Sequence, residues 1–137
     1  MKLYHRTSNP AAILDNGFAD NTATKAFRHG VWFANSPLDA QEGGRGWTVL
    51  SIEVRDELLA PYEEDDGVRG YRYFLIPAAF VNQLGAPAIH DDDFAGCSRK
   101  GIEAAIAAYL EQGRLDEAEK RTAHLTFLEK HKLLGRD

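Results

Sequence analysis

The chain has 137 residues, with 16 Lys+Arg against 21 Asp+Glu, 44% hydrophobic and 27% charged, which is the composition of one ordinary globular domain. That length is too short for two conventional domains and long enough to bury a core. No apolar run approaches the ~20 residues of a membrane span, and Met1 to Arg6 lacks the apolar region of a signal peptide. The single cysteine, Cys97, excludes an intrachain disulfide and a Cys-rich zinc module, so a cytoplasmic protein held by packing is expected.

Charge divides the chain. Residues 1–98 carry 8 Lys+Arg and 14 Asp+Glu, a net of -6, whereas 99–137 carry 8 and 7, a net of +1. An acidic body without a basic stripe argues against nucleic acid as the partner. The densest acidic stretch, Glu53 to Asp66, reads as a solvated loop.

Lys2 to His5 has strand character, and Asn9 with Pro10 then opens a short helix over Ala11 to Asn16 that Gly17 closes. Asn21 to His29 is polar and aperiodic, a loop able to cover a site. Val31 to Ala34 reads as a strand, Pro37 to Glu42 as a short helix and Gly43 to Gly46 as a turn. Trp47 to Val54 is the clearest strand, with Thr48, Leu50, Ile52 and Val54 on one face and Trp47, Val49, Ser51 and Glu53 on the other.

Tyr71 to Ile76 is a further strand, stopped by Pro77, and Ala78 to Leu84 a turn or short helix. From Gly101 the period changes. Ile102, Ala105, Ile106, Tyr109 and Leu110, then Leu115, Ala118, Leu125, Leu128 and Leu133, predict two amphipathic helices over 101–112 and 115–134. The expected fold is α+β: a strand-rich core over 1–98 and a helical C-terminal extension over 99–137, packed on that core or on a second copy of the chain.

Three segments hold the chemistry: Leu3-Tyr4-His5-Arg6-Thr7-Ser8, Gly30-Val31-Trp32-Phe33-Ala34-Asn35-Ser36 and Tyr71-Arg72-Tyr73-Phe74-Leu75-Ile76. A strand-end His followed by hydroxyl residues either gathers an imidazole, an amide and a hydroxyl around a polar ligand or caps a turn. Trp32 either stacks on a planar ring or fills the core. His90-Asp91-Asp92-Asp93 has metal-ligand chemistry, but neighbours in an extended loop point in alternating directions and no metal is expected. His124 and His131 lie two helical turns apart and border the apolar stripe, and Cys97 reads as a buried or inert thiol.

Taken in order, the three segments resemble those of the ADP-ribosyltransferase superfamily, the group of diphtheria-like toxins and poly(ADP-ribose) polymerases. Tyr4-His5-Arg6-Thr7-Ser8 resembles the family's aromatic-His-Gly-Ser/Thr segment, Gly30-Val31-Trp32-Phe33-Ala34 its Gly-aliphatic-Tyr-Phe-Ala segment, and Tyr71 to Ile76 the strand that begins with the catalytic Glu. The resemblance implies a split β-sheet core with short helices, and NAD or ADP-ribose as ligand. In it His5 holds the 2'-hydroxyl of the nicotinamide ribose, the Arg6 main chain holds the carboxamide, and Trp32 stacks on the nicotinamide. Thr7 and Ser36 add hydroxyl contacts.

Arg6 stands where the family has Gly, Trp32 where it has Tyr, and Arg72 or, with a one-residue shift, Tyr73 where it has Glu. Glu53 is the nearest substitute carboxylate in the sequence. The expected functions are therefore a candidate transferase of ADP-ribose from NAD to a macromolecular acceptor or water, or a non-catalytic module that binds ADP-ribose or a protein. An RNA 2'-phosphotransferase-like enzyme, which the resemblance also covers, is disfavoured by the acidic body.

Overall fold

The computed structural model describes residues 1–21, 29–37, 46–64 and 70–136. The fold is α+β, with a six-stranded antiparallel sheet and four α-helices among these residues. The expected helix over 37–42, Pro37 apart, and turn over 43–46, Gly46 apart, lie outside the described residues, as does most of the loop over 21–29.

Strand β1 (Lys2–Thr7) leads to helix α1 (Pro10–Asn16), then strands β2 (Val31–Ala34) and β3 (Thr48–Glu53). Two 3-10 turns, Asp56–Leu58 and Ala60–Tyr62, precede strand β4 (Glu63–Glu64) and strand β5 (Tyr73–Ile76). Helix α2 (Ala78–Val81) runs into a 3-10 turn at Asn82–Leu84, followed by strand β6 (Ala88–Asp92) and helices α3 (Arg99–Glu111) and α4 (Leu115–Lys130). Across the sheet the order is β4-β5-β2-β1-β3-β6.

The acidic stretch is thus not one solvated loop. It contains two 3-10 turns and an edge strand, because Glu63 finds a cation in Arg72 and Leu59 is buried. The segment around His90 is also a strand rather than a loop, paired to β3 with a register shift between Val49 and Leu50.

The pleat builds the core. Register places Leu3, Phe33, Leu50, Ile52, Phe74 and Ile76 on one face, and all are buried there with Val31, Phe18, Leu59, Ala78 and Val81. Val49 and Ser51, on the other face of β3, are buried too. Each large side chain removed from water contributes about 1.5–3 kcal/mol.

A second cluster joins the C-terminal helices to the rest. Ile102 of α3 and Leu125, Phe127 and Leu128 of α4 pack with Ala11 and Leu14 of α1, Ile89 of β6 and Phe94. Ser98 caps α3, its Oγ accepting from the Gly101 N–H at 3.0 Å. Helix α1 lies between the clusters, Ile13 facing the first and Leu14 the second.

A polar knot was not readable from the helical stripe. His124, expected to border it, is buried: its Nε2 donates to Asp92 Oδ2 at 3.0 Å, and the Thr48 hydroxyl donates to the same oxygen at 2.7 Å. Cys97, expected buried or inert, is exposed on the turn before α3, where its carbonyl accepts from the Gly135 N–H.

Candidate functional site

The sheet is weakly joined at its middle. Strands β1 and β3 share six register pairs and β2 and β5 share four, but β1 and β2 meet at one, Tyr4↔Ala34. Beyond that pair a side chain replaces the backbone ladder: His5 Nδ1 donates to the Trp32 carbonyl at 2.8 Å. A carbonyl only accepts, so Nδ1 carries the proton and Nε2 is left as the ring's acceptor.

A cleft of about 270 Å³ opens here. Its polar lining is His5, Thr7, Asn9 and Asn21, and its apolar wall includes Ile13, Phe18 and Val31, with Trp32 at one side. Phe18 meets the imidazole edge-on, with centroids 5.5 Å apart and planes at 84°, and Phe33 lies at 5.6 Å. Burial among these rings pushes the His5 pKa below its ordinary value, the Trp32 carbonyl opposing only in part. The imidazole is neutral at pH 7.

The backbone around the cleft is tied by short-range chemistry. Thr7 Oγ1 accepts from the Asn9 N–H at 2.9 Å, turning the chain from β1 into α1, so Asn9 is held at the helix entry without capping through its own side chain. Gly46 lies against the same turn at φ +105°, and a Cβ there would stand 2.2 Å from the Thr7 carbonyl carbon. Gly46→Ala is accordingly expected to lower stability by about 2 kcal/mol and to displace Thr7, a change that urea denaturation and the Thr7 amide resonance would register.

The other expected site residues fall in different places. Arg6, one residue along the pleat from His5, is half-buried and directs its guanidinium away from the cleft, to Asp93 Oδ2 at 3.1 Å and the Gly46 carbonyl at 3.3 Å. Ser36 is half-buried beyond the end of β2 and does not line the cleft. Trp32 is 39% exposed, and its ring leans on Tyr73 at 5.7 Å.

Compared with models of protein families, with curated proteins and with solved structures, the chain has no match. Its chemistry is therefore read from geometry.

Tyr73 and Arg72 are separated by the pleat. Tyr73 pairs with Ala34 and shares the face of Trp32. Arg72 instead reaches β4, its Nε and Nη2 donating to both oxygens of Glu63 at 2.9 and 2.7 Å. That guanidinium holds the Glu63 carboxyl below its usual range. Glu53 is remote from the cleft: its side chain is 73% exposed at the end of β3, 3.6 Å from the Met1 amino group.

The acids after His90 disperse as well. His90 meets the Tyr4 ring at 4.7 Å, Asp92 joins Thr48 and His124, and Asp93 pairs with Arg6. Phe18, Asn9 and Asn21 are cleft residues that the sequence did not mark as site residues, Asn9 reading as a helix cap and Asn21 as the start of a covering loop. Phe18 directly after the helix-ending Gly17 was the available signal, being an aromatic at a fixed turn.

Proposed function

We propose that the chain binds NAD or an ADP-ribose-containing ligand in the cleft between β1, α1 and β2, on an ADP-ribosyltransferase-like split sheet. One observation carries the reading. The three segments of the resemblance, the first and last with 62 residues between them, contain the adjacent strands β1, β2 and β5, and the cleft opens where β1 and β2 part.

The chemistry supports such a ligand. Neutral His5 with its proton on Nδ1 presents Nε2 as an acceptor for a ribose hydroxyl, Thr7 and Asn21 add hydrogen-bonding groups, and Phe18, Ile13 and Val31 give an apolar wall for a ring, while the Trp32 ring lies on the opposite face of the sheet against Tyr73. At about 270 Å³ the cleft is near the lower end of small-molecule sites, so it takes one ring and its sugar rather than a whole dinucleotide. Binding is favoured over turnover because the described lining of the cleft includes no carboxylate, and Glu53 lies beside the Met1 amino group.

Calorimetry with NAD and ADP-ribose tests this. His5→Ala is expected to weaken binding by about 2 kcal/mol through loss of the ribose acceptor. Affinity should be flat above the ordinary histidine value of 6.5 and fall only at lower pH, because burial delays protonation of the ring and protonation converts Nε2 from acceptor to donor. Equal affinity in His5→Ala would remove the cleft as the binding site.

A further inference from the structure

The wall of the cleft opposite β1 is held from outside. Gly17 ends α1 at φ +85°, its N–H donating to the Ile13 carbonyl at 2.7 Å, and the space where its Cβ would stand is filled by the Asn82 amide, 2.9 to 3.1 Å away. That amide is bound twice to the next residue. Asn82 Oδ1 accepts from the Phe18 N–H at 2.8 Å, and Asn82 Nδ2 donates to the Phe18 carbonyl at 3.0 Å, a pairing that fits only one orientation of the amide. Two residues on, Asp20 Oδ1 accepts from the Ala78 N–H at 2.8 Å, so the 3-10 turn and α2 together fasten the segment.

Phe18 is the residue so fastened, and its ring is 6% exposed and edge-on to His5. We propose that Asn82 is a positioning residue of the cleft: by clasping the Phe18 backbone from both sides it sets the Phe18 ring against His5 and fixes the imidazole that receives the ligand. The proposal rests on the reading of the cleft as a nucleoside site. Asn82 is itself exposed and does not line the cleft, so it acts through Phe18.

The physical chain is short. Without the clasp, the Phe18 backbone is held only through its neighbours, by the hydrogen bonds of Gly17 to Ile13 and of Ala78 to Asp20, so the ring gains freedom, water reaches the imidazole, and the penalty on the charged form of His5 relaxes. The ring's described neighbours are Phe18, Phe33 and the Trp32 carbonyl, none of which titrates, so a change in its titration reports solvent access rather than a new charge.

The test compares wild type, Asn82→Ala and Asn82→Asp, the last keeping an acceptor for the Phe18 N–H while losing the donor. The His5 ring resonances are titrated by NMR, and affinity for nicotinamide riboside is measured by calorimetry. Expected are a His5 midpoint moved up toward 6.5 in Asn82→Ala, a smaller move in Asn82→Asp, and affinity reduced about tenfold in Asn82→Ala. An unchanged His5 midpoint in both folded variants, or loss of fold in both, overturns the proposal and leaves Asn82 a stabilising residue only. Failure of wild type to bind the riboside or NAD overturns the nucleoside reading instead, while the titration still decides whether Asn82 governs His5.

Discussion

Replacing His124 by alanine should destabilise the protein by about 3 kcal/mol, because it leaves a buried carboxylate with too few partners. The His124 side chain is 4% exposed and that of Asp92 is 1% exposed. Its ring stacks on Trp47 at 4.9 Å and 21°, and meets Phe94 and Phe127 at 5.4 and 5.7 Å, so the substitution also opens a cavity. Asp92 would keep only the Thr48 hydroxyl and the Phe94 N–H.

The pH dependence gives this expectation a sign. Burial pushes the Asp92 carboxyl up, but the hydrogen bonds from His124 and Thr48 and the His124 charge outweigh it, so the group sits below its ordinary 3.8. A depressed carboxyl contributes stability that is present above 3.8 and lost as pH falls through the folded value, since the unfolded chain takes up the proton first. In His124→Ala burial dominates and the carboxyl rises, so the variant loses less on acidification. Urea denaturation at neutral and acid pH should show the gap between wild type and variant narrowing as pH falls. A gap of the same size at both, or none at all, would mean that the pair does not hold α4 in place.

How much of this was legible in the sequence depends on the range of each interaction. Pro10 and Gly17 bracket α1 within one residue because start and stop signals are local, and β2 and β3 follow from apolar runs that only a sheet interior can bury. The strand β6 escaped notice because Ala88-Ile89-His90-Asp91-Asp92 is polar by composition; it is a strand because β3 offers it a free edge and Thr48 and His124 satisfy Asp92. At the cleft, His5 and Trp32 were visible as residue types in order, whereas Phe18 is placed by Asn82 from 64 positions away. No local pattern encodes that clasp. The choice between Arg72 and Tyr73 likewise turned on register, which the sequence left open by one residue.

That register decides the last expectation, which concerns catalysis. Departure of nicotinamide from NAD builds positive charge on the ribose, and a carboxylate about 4 Å away at an effective dielectric of about 20 stabilises it by roughly 4 kcal/mol, on the order of a thousandfold in rate. The described lining of the cleft holds no carboxylate to provide that attraction, Tyr73 lies on the face opposite His5, and Arg72 is turned to Glu63 on β4. NAD consumption by the wild-type protein, followed by mass spectrometry, should therefore stay close to the uncatalysed rate even with the ligand bound. Tyr73→Glu places a carboxylate on the face of Tyr4, Trp32 and Ala34, opposite His5, and should leave the rate unchanged. Arg72→Glu should bring no gain either, since it sets a second carboxylate against Glu63 and breaks a two-bond ion pair at the sheet edge. Rapid turnover by the unmodified protein would require a charge stabiliser other than Tyr73. If Tyr73→Glu hydrolyses NAD faster than wild type, the reacting ribose lies on the Trp32 face of the sheet and not in the cleft beside His5.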